Sequence, residues 1–200
     1  MRVLPNTRLR RDRGQALIEL TLIAPLLIVL AFGALEVGQV ISTYLTLTHL
    51  TREGANLASR RGNLPVDLPG PDNDILDAII KASNPVVTDN NQANWRIIYS
   101  RLVQDPATPC PPEPCRYIVD TTAGGRIVRG NLNKQSKLGP ANGVPIPYNI
   151  LPGIQNVKPA QTFHVFEVFY DYAPYIATFI GKGIATDLYD RTIFTNVSGT

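Results

Sequence analysis

Histidine and cysteine, the side chains that most often ligate metals or take part in catalysis, are scarce in this sequence. The 200 residues include only His49, His164, Cys110 and Cys115 of these two types. A zinc site built on the cysteines would need two further ligands. Gly-x-Ser-x-Gly, Walker-loop and metalloprotease motifs are absent. Because no catalytic set can be assembled, we expect neither enzyme activity nor a bound metal or cofactor.

Positive charge is also missing from most of the chain. The formal net charge is +3, but five arginines and one aspartate in the first 14 residues account for +4 of it. The remaining residues therefore carry about −1, and their basic side chains are scattered. A nucleic-acid partner is not expected for such a surface.

What the sequence does contain is one long apolar run, from Leu20 to Leu35, bracketed by Glu19 and Glu36. Such a run is long enough to enter a bilayer, whose hydrocarbon layer takes roughly 20 apolar residues. The arginines lie before it, which predicts a cytoplasmic N-terminus and export of everything after the helix. Apolar residues continue beyond the run at helical spacing, which favours an uncleaved helix over a secretory signal.

The helical pattern extends from Gln15 to Arg61 and is interrupted only by Pro25, which should bend or loosen the membrane half. We therefore predict four regions: a cytoplasmic leader at 1–14, a long helix at 15–61 that spans the membrane in its first half, a linker at 62–71 and an exported α+β domain at 72–200.

Small residues mark candidate packing positions on this helix. Gly33 and Gly38 could allow the close approach of another helix, or they could simply face lipid. Glu36 could lie at the outer interface, where a carboxylate needs no partner. Further along, three small residues form a face suited to close packing on another element: Gly54, Ala55 and Ala58.

The exported region reads as a short helix followed by strands. An apolar stripe predicts the helix near 75–80. β-Branched and aromatic residues predict strands at 95–103, 116–121, 126–128, 162–172 and 190–197. Nearly every position of 162–172 is aromatic or β-branched, so both faces of that strand should be covered. The unpatterned segment at 130–160 predicts a long loop that is functional or mobile. The predicted fold class is α+β, a long N-terminal membrane helix whose outer half packs on a small antiparallel sheet.

The two cysteines lie close together in Cys110-Pro-Pro-Glu-Pro-Cys115, between the first two predicted strands. A proline-filled loop bounded by two thiols on an exported domain predicts a local disulfide near the tip of a hairpin. A redox-active pair is disfavoured because the Cys-x-x-Cys spacing is missing.

Ahead of the apolar run, Glu19 occupies the fifth position after Gly14. A prepilin-type peptidase cuts after glycine at the cytoplasmic membrane face, and this cut would leave a free amine on Gln15. A carboxylate in a bilayer costs about 2–3 kcal/mol unless a cation neutralises it. The amine of a neighbouring subunit could do so and set the axial register. Alternatively, Glu19 simply marks the lipid–water boundary and Gly14 is an ordinary glycine.

Four strings in the first 60 residues carry a family resemblance: Arg13-Gly-Gln-Ala-Leu-Ile-Glu19, Ala24-Pro-Leu-Leu-Ile-Val-Leu-Ala-Phe-Gly33, Glu36-Val-Gly38 and Arg52-Glu-Gly-Ala-Asn-Leu-Ala-Ser-Arg60. Together they resemble the TadE-like family of pilus-assembly pseudopilins. The resemblance implies a pilin-like fold and a minor subunit of a tight-adherence (Tad/Flp) type IV pilus. It also implies a single-pass protein of the bacterial inner membrane. The implied partners are the prepilin peptidase, other pilins or pseudopilins and the inner-membrane assembly platform. The alternative hypothesis is an uncleaved, signal-anchored envelope binding module.

Overall fold

The long helix and the antiparallel sheet expected from the sequence are both present. The computed structural model describes residues 8–61, 75–107, 115–122, 124–147, 150–151, 161–174 and 186–196. Two α-helices precede the strands, α1 at Arg8–Arg61 and α2 at Ile75–Ala82. A 3-10 helix at Asp89–Asn94 leads into the first strand. The strands are β1 at Trp95–Gln104, β2 at Tyr117–Val119, β3 at Arg126–Arg129, β4 at Thr162–Tyr172 and β5 at Thr186–Asn196.

All strand pairs are antiparallel, and β1 and β4 form the centre of the sheet. The order is β2-β1-β4-β5, with β3 pairing a second stretch of β1. Leu102 lies opposite Val119 in the β1–β2 pair, and Tyr99 lies opposite Phe166 in the β1–β4 pair. The predicted hairpin of β1 and β2 and the α+β fold class are therefore confirmed.

The described residues fall into two compact units, which we treat separately. Residues 8–41 belong to the first, and residues 42–173 with β5 belong to the second. Helix α1 is long and apolar enough to cross a membrane once, and its apolar stretch of 18 residues has a mean hydropathy of 2.4. Thr21, the one hydroxyl residue between Leu17 and Leu35, donates to the carbonyl of Leu17 within the helix. Its polar group is thus satisfied without water, as a lipid environment requires.

In the second unit, one face of the sheet packs against helices. The outer part of α1, residues 42–61, contributes Leu47, Leu50, Ala55 and Ala58 to this core, and α2 contributes Leu76, Ile79 and Ile80. They meet the strand residues Trp95, Ile97, Tyr99, Phe166 and Val168. The prediction that the outer helix packs on the sheet is confirmed, as is its small-residue face.

A loop covers the opposite face of the sheet. Leu138, Ile146 and Leu151 are buried there against Phe163 and Val165 of β4. All seven residues of Phe163–Phe169 are buried, which confirms that both faces of this strand are covered. The described part of the predicted loop is thus a second layer of the core.

Several predicted boundaries were wrong or fall outside the described residues. Helix α1 begins at Arg8, not at Gln15, because the arginines before Gly14 are good helix formers. Strand β5 begins at Thr186, four residues earlier than predicted, because residues 186–189 also pair with β4. Two predicted segments lie outside the described residues: the linker at 62–71 and the last part of the long loop, 152–160.

Gly54 sets the distance between α1 and the sheet. A Cβ placed on Gly54 would lie 2.6 Å from a ring carbon of Phe166, closer than real Cβ contacts occur. Replacing Gly54 with alanine must therefore move the helix or the buried ring. Overpacking of this kind costs about 1–3 kcal/mol, partly offset by the better helix propensity of alanine, about 1 kcal/mol.

We expect Gly54→Ala to lower the unfolding midpoint of the full chain in detergent micelles. Gly38→Ala is the matched control, since a Cβ on Gly38 meets no atom within 4 Å. It should leave the midpoint unchanged or raise it. An unchanged midpoint for Gly54→Ala would show that the Phe166 ring can move aside without loss of stability. That result would contradict the expected destabilisation.

Candidate functional site

The residues of the candidate processing site lie together on the surface of α1. Gly14, Gln15 and Glu19 are all exposed, and the helix is continuous through them. Glu19 follows Gln15 by four residues, so the two side chains lie on the same helix face, one turn apart. The structure therefore places a carboxylate one helical turn from the backbone nitrogen that cleavage after Gly14 would free.

The glycines of the first unit are not required by packing within this chain. A Cβ on Gly14, Gly33 or Gly38 would meet nothing within 4 Å, in contrast to Gly54. Glycine in a helix interior costs about 1 kcal/mol relative to alanine. Because no contact within the described chain compensates that cost, these positions are candidates for contacts with other molecules.

The other predicted packing residues also lie on this surface. Pro25 is exposed inside α1, and the helix continues through it. Glu36 is half-buried, and Leu22, Val29 and Leu35 are among the large apolar side chains that are more than half exposed. A helix that is apolar all round is a feature of membrane-embedded or fully buried helices.

The predicted disulfide falls partly outside the described residues. Cys115 is buried at the start of β2, in the core beneath the loop. Cys110 lies outside the described residues, so the pairing of Cys110 with Cys115 stays a prediction.

The outer helix is tied to the sheet by a polar contact that the sequence did not suggest. Thr51 is fully buried on α1, and its hydroxyl donates to the carboxylate of Asp190 on β5. The hydroxyl of Thr192 donates to the same Thr51 oxygen at 3.1 Å. These bonds fix the position of α1 along the sheet more narrowly than apolar packing does.

His164 and Glu167 lie on opposite faces of β4, as their spacing predicts. On the helix face, the Nδ1 atom of His164 is 2.8 Å from the hydroxyl of Tyr99. Burial and the nearby Arg101 lower the pKa of His164 from 6.5 to about 4, so the ring is neutral at pH 7. Burial likewise raises the pKa of Tyr99. This pair is a structural element of the core.

Glu167 holds the covering loop on the other face. Its fully buried carboxylate accepts hydrogen bonds from the Ser136 hydroxyl, from the backbone N–H of Lys137 at 3.0 Å and from the Tyr189 hydroxyl at 3.0 Å. Arg126 donates to the Gly139 carbonyl at 2.7 Å, close to the same loop turn. A buried carboxylate satisfied in this way anchors the loop to the central strand.

A third polar cluster lies at the end of the hairpin. The guanidinium of Arg101 reaches the Asp120 carboxylate at 2.5 Å and the Thr122 hydroxyl at 2.8 Å. Burial raises the pKa of Asp120, but the hydrogen bonds from Thr122 and Arg101 outweigh burial and hold it below its usual value. The polar groups of these clusters bond mainly to one another, but the Nε2 atom of His164 is buried with no hydrogen-bond partner among the described residues.

Comparison with known proteins gives a result for the long helix. Residues 14–56 match the family model of TadE-like proteins. The resemblance to this family is therefore confirmed over the helix and covers less than half of the chain. No curated protein and no solved structure matches the chain.

The TadE-like match begins at the candidate processing glycine and ends at residue 56, within the part of α1 that packs on the sheet. It includes Gly14, Glu19 and the helix glycines, and it also includes Thr51 and Gly54. The TadE-like segment thus spans both the lipid-compatible part of α1 and the part that packs on the sheet. TadE-like proteins form a pilus-associated assembly family, so the match indicates a membrane-associated, pilin-like protein.

We expect acid to destabilise the second unit through His164. Between pH 6.5 and about 4 the unfolded chain binds a proton that the native ring does not, so the free energy of unfolding falls as the pH falls through this range. The loss is on the order of 3 kcal/mol at pH 4. The variant Tyr99→Phe/His164→Phe removes the titrating ring and its hydroxyl partner together.

Denaturant melts of the full chain in micelles at pH 7 and pH 4.5 measure this effect. The double variant should lose less stability on acidification than the wild type. The carboxylate clusters are common to both proteins and act as an internal control. Equal losses in the two proteins would show that His164 is not the responsible group.

Proposed function

We propose that this chain is a minor pilin-like subunit, a pseudopilin, of a Tad/Flp-type pilus and that a prepilin peptidase cuts it after Gly14. The TadE-like match at residues 14–56 is the observation that carries the proposal. The open space around Gly14 supports a role for this glycine in recognition by another protein, since packing within the chain does not require it.

The proposed assembly uses the exposed face of α1. Residues 17–41 would pack against the same helices of neighbouring pilins, and Gly33 and Gly38 would allow close approach. Glu19 would neutralise the freed amine of an adjacent Gln15. The proposed partners are the prepilin peptidase, other pilins or pseudopilins and the assembly platform of the bacterial inner membrane. The N-terminal leader would lie in the cytoplasm and the second unit on the other side.

A second candidate function is an uncleaved, membrane-anchored binding module. A groove of about 370 Å³ in the second unit favours it. Leu50 and Leu57 of α1 and Ala78 and Ile79 of α2 line this groove. In that case the N-terminus would be uncut and the second unit would act without joining a pilus.

The two carboxylates of α1 provide a matched test of the proposed register contact. Glu19→Ala should still insert in the membrane but should enter sheared pili at least about tenfold less than the wild type. The loss of an ion pair of about 2–3 kcal/mol in lipid corresponds to about 30- to 150-fold, so tenfold is a lower bound. Glu36→Ala removes the other carboxylate that borders the apolar run and should enter pili normally.

The readout is the amount of this chain in membranes and in sheared pili, measured with the same antibody. Normal incorporation of the Glu19→Ala chain would contradict the register role. Equal losses for Glu19→Ala and Glu36→Ala would show a general effect of charge near the bilayer.

A further inference from the structure

Helix α1 passes through the peptide bond that the proposed processing would cut. It begins at Arg8 and is helical without a break through Gly14 and Gln15. In an α-helix each carbonyl accepts a hydrogen bond from the amide four residues later. The backbone groups on both sides of the Gly14–Gln15 bond are therefore engaged in the helix.

A peptide bond inside a helix is not in the form that a protease cuts. A protease cleft holds its substrate as an extended segment, and the backbone N–H and C=O groups of that segment pair with the enzyme as an added β-strand does. Cutting after Gly14 therefore requires that α1 first open over a few residues on each side of the bond. The stability of the first turns of α1 enters the cleavage rate for this reason.

The start of α1 is a weak part of the helix. Its first turn holds no acidic residue, and Arg8, Arg10 and Arg11 bring positive charge to the positive end of the helix dipole. Asp12 offsets one of these charges. Gly14 is a poor helix former, and a Cβ at this position would meet no atom within 4 Å, so packing does not hold it. Charge and backbone propensity thus both favour opening of this end.

Beyond Gly14 the membrane limits how far the helix can open. Apolar side chains begin at Ala16 and Leu17. Backbone groups released in hydrocarbon find no water to replace their lost hydrogen bonds. Thr21 adds a further tie, since its hydroxyl donates to the carbonyls of Leu17 at 2.7 Å and Ile18 at 2.9 Å. The bond after Gly14 thus lies at the boundary between a helix end that opens readily and a part that stays closed.

We propose that opening of the first turns of α1 controls processing: the peptidase acts only on chains in which the segment from Arg8 to about Ala16 has left the helix. This inference rests on the proposed cleavage after Gly14. Helix opening and closing take about a microsecond, far less than a cleavage event, so the rate follows the population of the open form. The arginines of the leader then favour cleavage by weakening the helix.

A matched pair of alanine-to-glycine substitutions tests this proposal. Ala16→Gly increases the population of the open form and should be cut after Gly14 about fivefold faster than the wild type, the factor expected from the two helix propensities. Ala31→Gly makes the same change in α1 beyond the opening segment and should be cut at the wild-type rate. The full chain, produced in a host that lacks the enzyme, is mixed in micelles with the prepilin peptidase of its own host, and intact mass is followed over time.

Trypsin distinguishes opening of the helix from recognition by the peptidase. It cuts after Arg13, one bond before the proposed site, and makes its own contacts with the substrate. The trypsin product that begins at Gly14 should also form about fivefold faster from Ala16→Gly than from the wild type. Faster cutting by the peptidase alone would assign the effect to a direct contact at position 16 and overturn the proposal. Equal rates for Ala16→Gly and the wild type with both enzymes would also overturn it.

Failure of the proposed function would give a different result in the same assays. A wild-type chain that the peptidase leaves intact, although trypsin cuts it after Arg13, would contradict processing after Gly14 and with it this inference. A chain that the peptidase cuts at a rate independent of the substitution at Ala16 would contradict only the control by helix opening.

Discussion

The close contact between α1 and β4 at Gly54 is the constraint on which the second unit depends. The missing side chain at this position lets the helix lie against the ring of Phe166. The small side chains of Ala55 and Ala58 also let α1 lie close to the sheet, and the Thr51 hydroxyl can then reach Asp190 on β5. The buried apolar cluster of α1, α2 and the strands forms around this contact. A bulkier residue at position 54 would separate the layers and weaken each of these interactions.

One helix therefore meets two different physical demands along its length. Up to about residue 41 its side chains are large, apolar and exposed on all sides, which suits lipid or other apolar helices. From Leu47 onward one face is buried on the sheet, and its small residues Gly54, Ala55 and Ala58 allow close packing. The TadE-like match runs through both parts, to residue 56. The family resemblance thus covers most of the helix, including most of the part that packs on the sheet.

Much of this fold could be predicted because the sequence patterns are local. The run of β-branched and aromatic residues in β4 identifies a strand buried on both faces, since few alternatives can hide so many large side chains. The glycine and alanine spacing at 54–58 identifies the packed face of α1. The alternation of side chains along a strand also places His164 and Glu167 on opposite faces of β4. The membrane-compatible length of α1 follows from composition alone.

The remaining features depend on contacts between distant segments. The loop at 130–151 has no periodicity of its own, and its role as a second layer follows from Leu138 and Ile146 meeting β4. Ser136 and Lys137 could not be identified as partners of Glu167, because they lie about 30 residues away and show no pattern. In the sequence Thr51 is one of several threonines on α1, and only its hydrogen bond to Asp190 on β5 distinguishes it. The start of β5 includes Asp187, a residue type that is depleted in strands, and pairing with β4 extends the strand through it.

The central claim is that α1 begins, in the mature protein, at the residue after Gly14. The N-terminal residue and the intact mass of the chain from its native membrane test this most directly. We predict a start at Gln15 for the wild type and an uncut N-terminus for Gly14→Leu, whose new side chain would enter open space and leave the fold unchanged. A wild-type chain that starts at Met1 would contradict the pseudopilin assignment and would favour the anchored binding module.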